Sequence, residues 1–357
     1  MKFKLTSSAS RLCGLIKEVR PMSGERKCSD MNTGADRSQM DNMQLRIRQI
    51  TDSLLDDYRK GRYIDRPDTF QQPEIGAVVD ILEKVQKLIY PGFFKAQTYR
   101  YYTRENSTST LVEDVLFNLT RQIALTLRYC TEFEDVDTDA IEEKARETAF
   151  AFLARIPVIR EYIETDLQAE FDGDPAAENK DEIIFSYPGM YAIMVYRIAH
   201  ELVLLGVPMI PRMMTESAHS KTGIDINPGA TIGKYFFIDH GTGIVIGETT
   251  EIGENVKIYQ GVTLGALSTR KGQLLHGVKR HPTIEDHVTI YSGTTILGGE
   301  TRIGKGAVIG ANAFITSSVP AGAKVSIKNQ EYTVRFDGDT SFESRELEQN
   351  KDWFYVI

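Results

Sequence analysis

The residues best suited to chemistry cluster around His240. It stands in Ile238-Asp239-His240-Gly241-Thr242-Gly243, with a carboxylate before it and small residues after it. An imidazole with an ordinary pKa of about 6.5 can take a proton from an alcohol near neutral pH. It needs a carboxylate to fix its tautomer and stabilise the imidazolium. Asp225 and Asp239 both qualify, and the sequence leaves the choice open. Asp225 is 14 residues earlier, a spacing that points to the preceding coil's equivalent corner in the repeat described next. Further on, Arg280-His281-Pro282 offers a guanidinium, a natural bidentate clamp for a carboxylate. His200 lies in an apolar stretch and reads as packed rather than reactive. Taken alone, Gly173-Asp174-Pro175-Ala176-Ala177 is a turn.

These residues are carried by a repeat. From Gly223 to about Ile327 an aliphatic residue returns every sixth position: Ile226, Ile232 and Ile238, then after a slip of two Ile246, Ile252, Ile258 and Leu264. Beyond a polar break come Ile284 and Ile290, and after a one-residue slip Leu297, Ile303, Ile309 and Ile315. A period of six fits neither a helix nor a hairpin array. It fits a short strand plus a corner, with the heads stacking along one axis as a parallel β-helix. Eighteen of the 28 glycines lie between Gly223 and Gly322, where corners need positive φ. A glycine-rich sandwich would show period-two alternation instead.

Before the repeat the spacing is helical. Helices are expected around Leu45–Leu55, Val78–Ile89, Leu111–Cys130, Thr138–Ile156 up to Pro157, Val158–Phe171 and Tyr191–Leu205. Their expected structural role is to cap the open end of the solenoid and to oligomerise. The chain therefore divides into a disordered leader over 1–43, an all-α domain over 44–206, a β-helix over 207–330 and a flexible acidic tail over 331–357. The first 17 residues carry four bases and no acid, a faint transit-peptide character, and Met40 and Met43 read as alternative starts. Asp337 to Ile357 holds six acids and two bases before an apolar aromatic tip.

Composition narrows the function. The net charge of −8 carries no nucleic-acid footprint, and no run of 18 apolar residues indicates a membrane span. Cys13, Cys28 and Cys130 share no metal or disulfide spacing, which suits a reducing, cytoplasmic setting.

Taken together, several motifs resemble the serine O-acetyltransferases among the hexapeptide-repeat acyltransferases. They are Gly173-Asp174-Pro175-Ala176, Tyr196-Arg197-Ile198-Ala199-His200, Asp225-Ile226-Asn227-Pro228, Ile238 through Thr249, Gly261-Val262-Thr263-Leu264-Gly265 and Arg280-His281-Pro282. The resemblance covers about Asp172 to Ile327. It implies an α+β fold: an N-terminal all-α domain followed by a left-handed parallel β-helix, against the usual right-handed crossover preference. It implies a homotrimer or a dimer of trimers, with active sites between neighbouring subunits. The implied reaction is direct attack of L-serine on the thioester of acetyl-CoA, with no metal. No Ser or Cys stands out as an acyl-carrying nucleophile.

By the same resemblance, His240 is the general base and Asp225 its partner. Asp174 and Asp239 hold the substrate amino group, and Arg280 and His281 its carboxylate. Gly265 and Ala266 face the acetyl oxygen, while Ser292, Gly293 and Ala311 line the CoA arm. Arg270, Lys271 and Lys279 are candidates for the CoA phosphates. L-cysteine is implied as feedback inhibitor, and O-acetylserine sulfhydrylase as a partner docking on C-terminal Ile357. Three departures stand out. Asn227 replaces a frequent His, Gly241 replaces an occasional Ala, and the 266–280 loop is longer than in compact relatives.

Other readings compete. His240, His276 and His281, spaced by 36 and then five, resemble the zinc triad of γ-class carbonic anhydrases. A hexapeptide acetyltransferase acting on a sugar and a catalytically idle scaffold for the sulfhydrylase are the remaining alternatives.

Overall fold

A computed structural model describes residues 33–65, 72–94, 103–133, 135–268, 270, 272–275, 277–327, 332–333 and 344–345. The chain divides into two compact units, Met1–Thr69 and Phe70–Ile357. The first contains helix α1, Thr33–Tyr58. Helix thus covers the last eleven residues of the segment expected as a disordered leader, and residues 1–32 lie outside the described ones. The acidic tail, Ile357 included, is also outside them, except for an antiparallel pair of short strands, Tyr332–Thr333 and Ser344–Arg345.

The second unit opens with α2 (Ile75–Ile89), α3 (Arg104–Leu127) and α4 (Thr138–Gly173). Then come α5 (Lys180–Ser186), α6 (Pro188–Leu204) and α7 (Ile210–Thr222). The apolar stripes of α2, α3 and α4 meet in one core through Ile81, Leu119, Phe152 and Ile159. The sequence pointed to two helices broken at Pro157, but α4 runs through it. Proline removes one helical hydrogen bond and crowds the preceding turn. Here Phe152 before it and Ile159 after it are both buried in the same core, and that burial holds the two halves in line. Helix also persists past Gly206 in α7, which ends at Gly223 with φ 71, a left-handed cap.

The repeat forms a three-sided parallel solenoid. Its first face stacks Asp225–Ile226, Val245–Ile246, Thr263–Gly265, Thr295–Leu297 and Phe314–Ile315. The second stacks Thr231–Ile232, Glu251–Ile252, Thr283–Ile284 and Arg302–Ile303. The third stacks Phe237–Asp239, Lys257–Tyr259, Thr289–Ile290, Val308–Ile309 and Lys324–Val325. The aliphatic heads fill the interior, as the period required. One head differs from expectation. Ile296, not Leu297, is fully buried and pairs with Leu264 and Ile315. The extra residue falls after it, at the corner where Gly298 takes φ 108.

A solenoid's first coil has no coil beneath it, so one edge of its backbone lacks partners. Here α4 and α6 supply them. Thr165 Oγ1 and Asp166 Oδ1 accept from the amides of Tyr235 and Phe236 at 3.3 and 3.0 Å. Arg197 donates to the carbonyls of Ile232 and Gly233 at 2.5 and 2.6 Å, and the Tyr196 hydroxyl donates to that of Ala230 at 2.6 Å. His200, read as packed, places Nδ1 2.8 Å from Pro228 O. Asp166 and Arg197 close a bidentate pair at 2.9 and 3.0 Å, 0% and 6% exposed.

Removing one partner of such a pair strands the other. Arg197→Met leaves Asp166 buried and unpaired and two carbonyls uncapped, so a loss of about 3–5 kcal/mol is expected. Urea unfolding of wild type and variant measures it; a loss below about 1 kcal/mol contradicts the capping account.

Candidate active site

His240 begins the corner between the third and first faces, at φ 55. That left-handed turn throws the imidazole outward, with its side chain 59% exposed. Its Nε2 stands 3.7 Å from Asp239 Oδ1, an ion-pair separation rather than a hydrogen bond. Burial pushes the Asp239 carboxyl above its usual range; the His240 charge opposes this and Asp174 adds to it. Asp174 caps the end of α4 beside it. Its Oδ1 accepts from Ala176 N at 2.8 Å, and its Oδ2 accepts from the Tyr187 hydroxyl at 2.5 Å. That bond, ahead of burial, raises the Tyr187 pKa. Gly173 permits the approach, since a Cβ there would come within 2.6 Å of the Phe237 ring. Tyr259, stacked on Tyr291 at 5.0 Å between ring centres, lines the same face. Two carboxylates and an imidazole at an open corner suit a cationic group placed beside a proton acceptor.

A second group occupies the corner between the first and second faces. Thr249 organises it. Its amide donates to His281 Nδ1 at 3.0 Å, and its Oγ1 accepts from the amides of Arg280 and His281 at 2.9 and 3.1 Å. His281 is buried, with its ring over Gly247. Burial first, then the Arg280 charge, lowers its pKa to about 4. It is therefore neutral near pH 7, and with Nδ1 accepting, the proton sits on Nε2 as a donor. Arg280 pairs with Glu248 and donates to Leu275 O at 3.2 Å. Lys279, a candidate phosphate ligand, is spent on Thr249 O at 2.7 Å and Glu251 at 3.3 Å.

The two groups flank the first face rather than meeting. Register makes this plain: Asp239 pairs with Tyr259 on the third face, whereas Asp225 pairs with Val245 on the first. Asp225 directly follows the equivalent corner one coil below, where Gly243 N donates to Gly223 O at 2.8 Å and Asp225 N to Ile244 O at 2.9 Å. Its Oδ1 accepts from Arg212 Nη1 at 3.2 Å. Arg212 also pairs with Glu216 at 2.5 Å, so a guanidinium serves the cluster of Glu216, His219 and Asp225 that geometrically resembles a cation site. Ser292 and Gly293 stack in the His240 corner column: Gly293 N donates to Gln260 O at 2.9 Å. Ala311 precedes Asn312, whose amide donates to Ser292 O at 2.8 Å. Gly265 ends a strand of the first face and Ala266 leads into the long loop on the other side. Among the described residues no zinc triad forms, since His240 and His281 lie at different corners and His276 is not described. Sequence reading assigned no role to Tyr187, Glu248 or Thr249. Thr249 carried a faint signal by lying within a quoted motif, but nothing in its type announced a hub.

No family model matches the chain. A curated serine acetyltransferase of Synechococcus elongatus is 44% identical over 212 residues, covering 58% of this chain and 66% of that protein. One from Bacillus subtilis is 49% identical over 124 residues, covering 35% and 54%. The chain thus spans just under two thirds and about half of these curated relatives. Coverage is fuller among solved structures. Entamoeba histolytica serine acetyltransferase 1, in complex with L-cysteine, is 36% identical with a TM-score of 0.60, matching 76% of this chain and 95% of that one. Isoform 3 from the same organism, in complex with cysteine, is 33% identical with a TM-score of 0.61, matching 81% and 95%. The solenoid is accordingly the left-handed β-helix that the motifs implied.

The His281 environment predicts a pH effect. Its folded pKa lies below the unfolded value, so the unfolded chain takes up protons first as pH falls. The stability contributed by the neutral ring is full above about pH 6.5 and lost towards pH 4. After allowance for partial screening, wild type should lose on the order of 2 kcal/mol more than His281→Asn over that window. Urea unfolding at stepped pH checks this, and parallel losses in the two proteins contradict it.

Proposed function

The chain belongs to the serine acetyltransferase family, and we propose that it transfers acetyl from acetyl-CoA to the hydroxyl of L-serine, giving O-acetylserine and CoA for cysteine synthesis. The observation that carries this is the pair of corners. One offers Asp174, Asp239 and an exposed imidazole, and the other offers Arg280 and the Nε2–H of His281. An α-amino acid is a zwitterion, and the two corners match its two charges.

In the proposed mechanism the serine ammonium sits between Asp174 and Asp239, and its carboxylate takes Arg280 from Glu248. His240 removes the hydroxyl proton as the oxygen attacks the thioester carbon. A backbone amide at the Gly265–Ala266 turn stabilises the tetrahedral oxyanion. Collapse breaks the carbon–sulfur bond, and the CoA thiolate takes the proton back from the imidazolium. Asp239, nearest in this structure, or Asp225, from the coil below, orients His240. Ser292, Gly293 and Ala311 line the CoA arm, with no metal taking part.

The two corners of one copy flank a face, so the site is completed between neighbouring copies, in a homotrimer or a dimer of trimers. Cysteine, which carries the same ammonium and carboxylate, would occupy the serine site as an inhibitor. Docking of O-acetylserine sulfhydrylase on Ile357 completes the reading, in a cytoplasmic setting; unchanged co-elution after deletion of Val356 and Ile357 would refute the docking. No observation favours a sugar acceptor, and among the described residues no helix is long and apolar enough to cross a membrane.

The test is CoA release from acetyl-CoA with L-serine. Release should depend on serine, fall on the order of 10²–10⁴-fold in His240→Ala, and be inhibited by L-cysteine competitively with serine. Turnover with a sugar but not with serine would overturn the assignment.

A further inference from the structure

Helix α4 and its C-terminal cap carry three acids at four-residue spacing, Asp166, Glu170 and the cap Asp174, on the side of the first coil. The outer two are satisfied, Asp166 by Arg197 and the Phe236 amide, Asp174 by Tyr187 and the Ala176 amide. Glu170, between them, is fully buried, and neither of its oxygens has a hydrogen-bond partner. The Ile238 amide faces it without closing a bond. Gly189, near the start of α6, creates this proximity: a Cβ there would stand 3.1 Å from Glu170 Oε1 and 2.5 Å from Ile238 O. The acid therefore shares one small space with the backbone immediately before Asp239 and His240.

A buried carboxylate with no partner is not sustained as an anion. The charged and titratable surroundings agree. Asp166 lies on its own helix, Asp174 at that helix's cap, Asp239 on the solenoid edge, Tyr90 after α2 and Tyr187 before α6. The cation on α6, Arg197, is already committed to Asp166 and two carbonyls. Burial foremost raises the Glu170 pKa well above that of an ordinary glutamate; the nearby Ile238 amide opposes this, and Asp239, Asp166 and Asp174 add to it.

We propose that Glu170 is a positioning residue for the transfer reaction: a neutral acid wedged between α4, Gly189 and Ile238 that sets the Ile238–Asp239–His240 corner, and whose ionisation disturbs it. The proposal rests on the function proposed above, so its test includes readouts that need no turnover.

Full-length wild type, Glu170→Gln and Glu170→Ala are compared. Gln keeps the shape of the neutral acid and cannot ionise. The folded pKa of Glu170 is raised, so its contribution to stability is present below the ordinary glutamate value and is lost as pH rises towards the folded value. The Tm of Glu170→Gln relative to wild type should therefore climb between pH 5 and pH 8; a flat difference overturns the neutral acid. With ε1-carbon-labelled histidine, the His240 signal is identified by its loss in His240→Gln. Its titration midpoint should match wild type in Glu170→Gln and move in Glu170→Ala; an unmoved midpoint in Glu170→Ala overturns the positioning role. With serine and acetyl-CoA, Glu170→Ala should lose about tenfold in kcat and raise the serine KM while sparing the acetyl-CoA KM. Glu170→Gln should stay within about twofold of wild type at neutral pH and hold its activity further into alkali. Equal damage in both variants overturns the proposal. Absence of serine-dependent turnover in wild type would instead sink the function, leaving Tm and the His240 titration to judge Glu170.

Discussion

The structure depends on how the open end of the solenoid is closed. A parallel β-helix satisfies each coil's backbone from its neighbours, so the first coil has one edge unserved. Apolar cover alone would leave its amides and carbonyls buried and unpaired. Helices α4 and α6 meet the need by type: acceptors Thr165 and Asp166 meet amides, and donors Tyr196 and Arg197 meet carbonyls. The Asp166–Arg197 pair locks the two helices at the spacing this requires. Such a pair costs desolvation and adds little net stability over an apolar substitute. What it contributes is register, because only one placement of the helices satisfies every group.

Register at that edge matters chemically. The strand whose leading end is capped, Phe237–Asp239, runs directly into His240. Asp174, at the end of the same capping helix, stands beside Asp239. The acidic corner is thus a product of the cap, built jointly by helix and coil. The corner of Arg280 and His281 is built differently, by Thr249 tying the return of a long loop to the coil below. The first face separates the two. The proposed zwitterion site needs both signs, which is why that proposal completes each site with a neighbouring copy.

Much of this was legible in the sequence. The six-residue period gave the solenoid and all but one of its heads, because a head that faced outward would leave a void inside. Leu297 misled because either aliphatic neighbour can serve as head, and only the Gly298 corner decides for Ile296. Pro157 was read as a break because local rules register the lost hydrogen bond but not the burial on either side. His240 and its corner followed from local residues, since one strand and one turn fix them. Asp225 follows the corner one coil below that of His240, so its neighbourhood was legible from spacing, whereas its bond to Arg212 was not. Tyr187 and Glu170 were invisible and Thr249 barely signalled, because their roles arise from tertiary approach, of which Gly189 and Gly247 are local traces.

The sharpest measurement is intersubunit complementation. His240→Ala and Arg280→Leu chains, each impaired alone and bearing different tags, are co-expressed and doubly tagged hybrids isolated. If one copy supplies His240 and its neighbour Arg280, a cyclic trimer of either mixed composition regains one intact site in three, about a third of wild-type turnover. Hybrids no more active than their parents would place each site within a single chain and contradict the account.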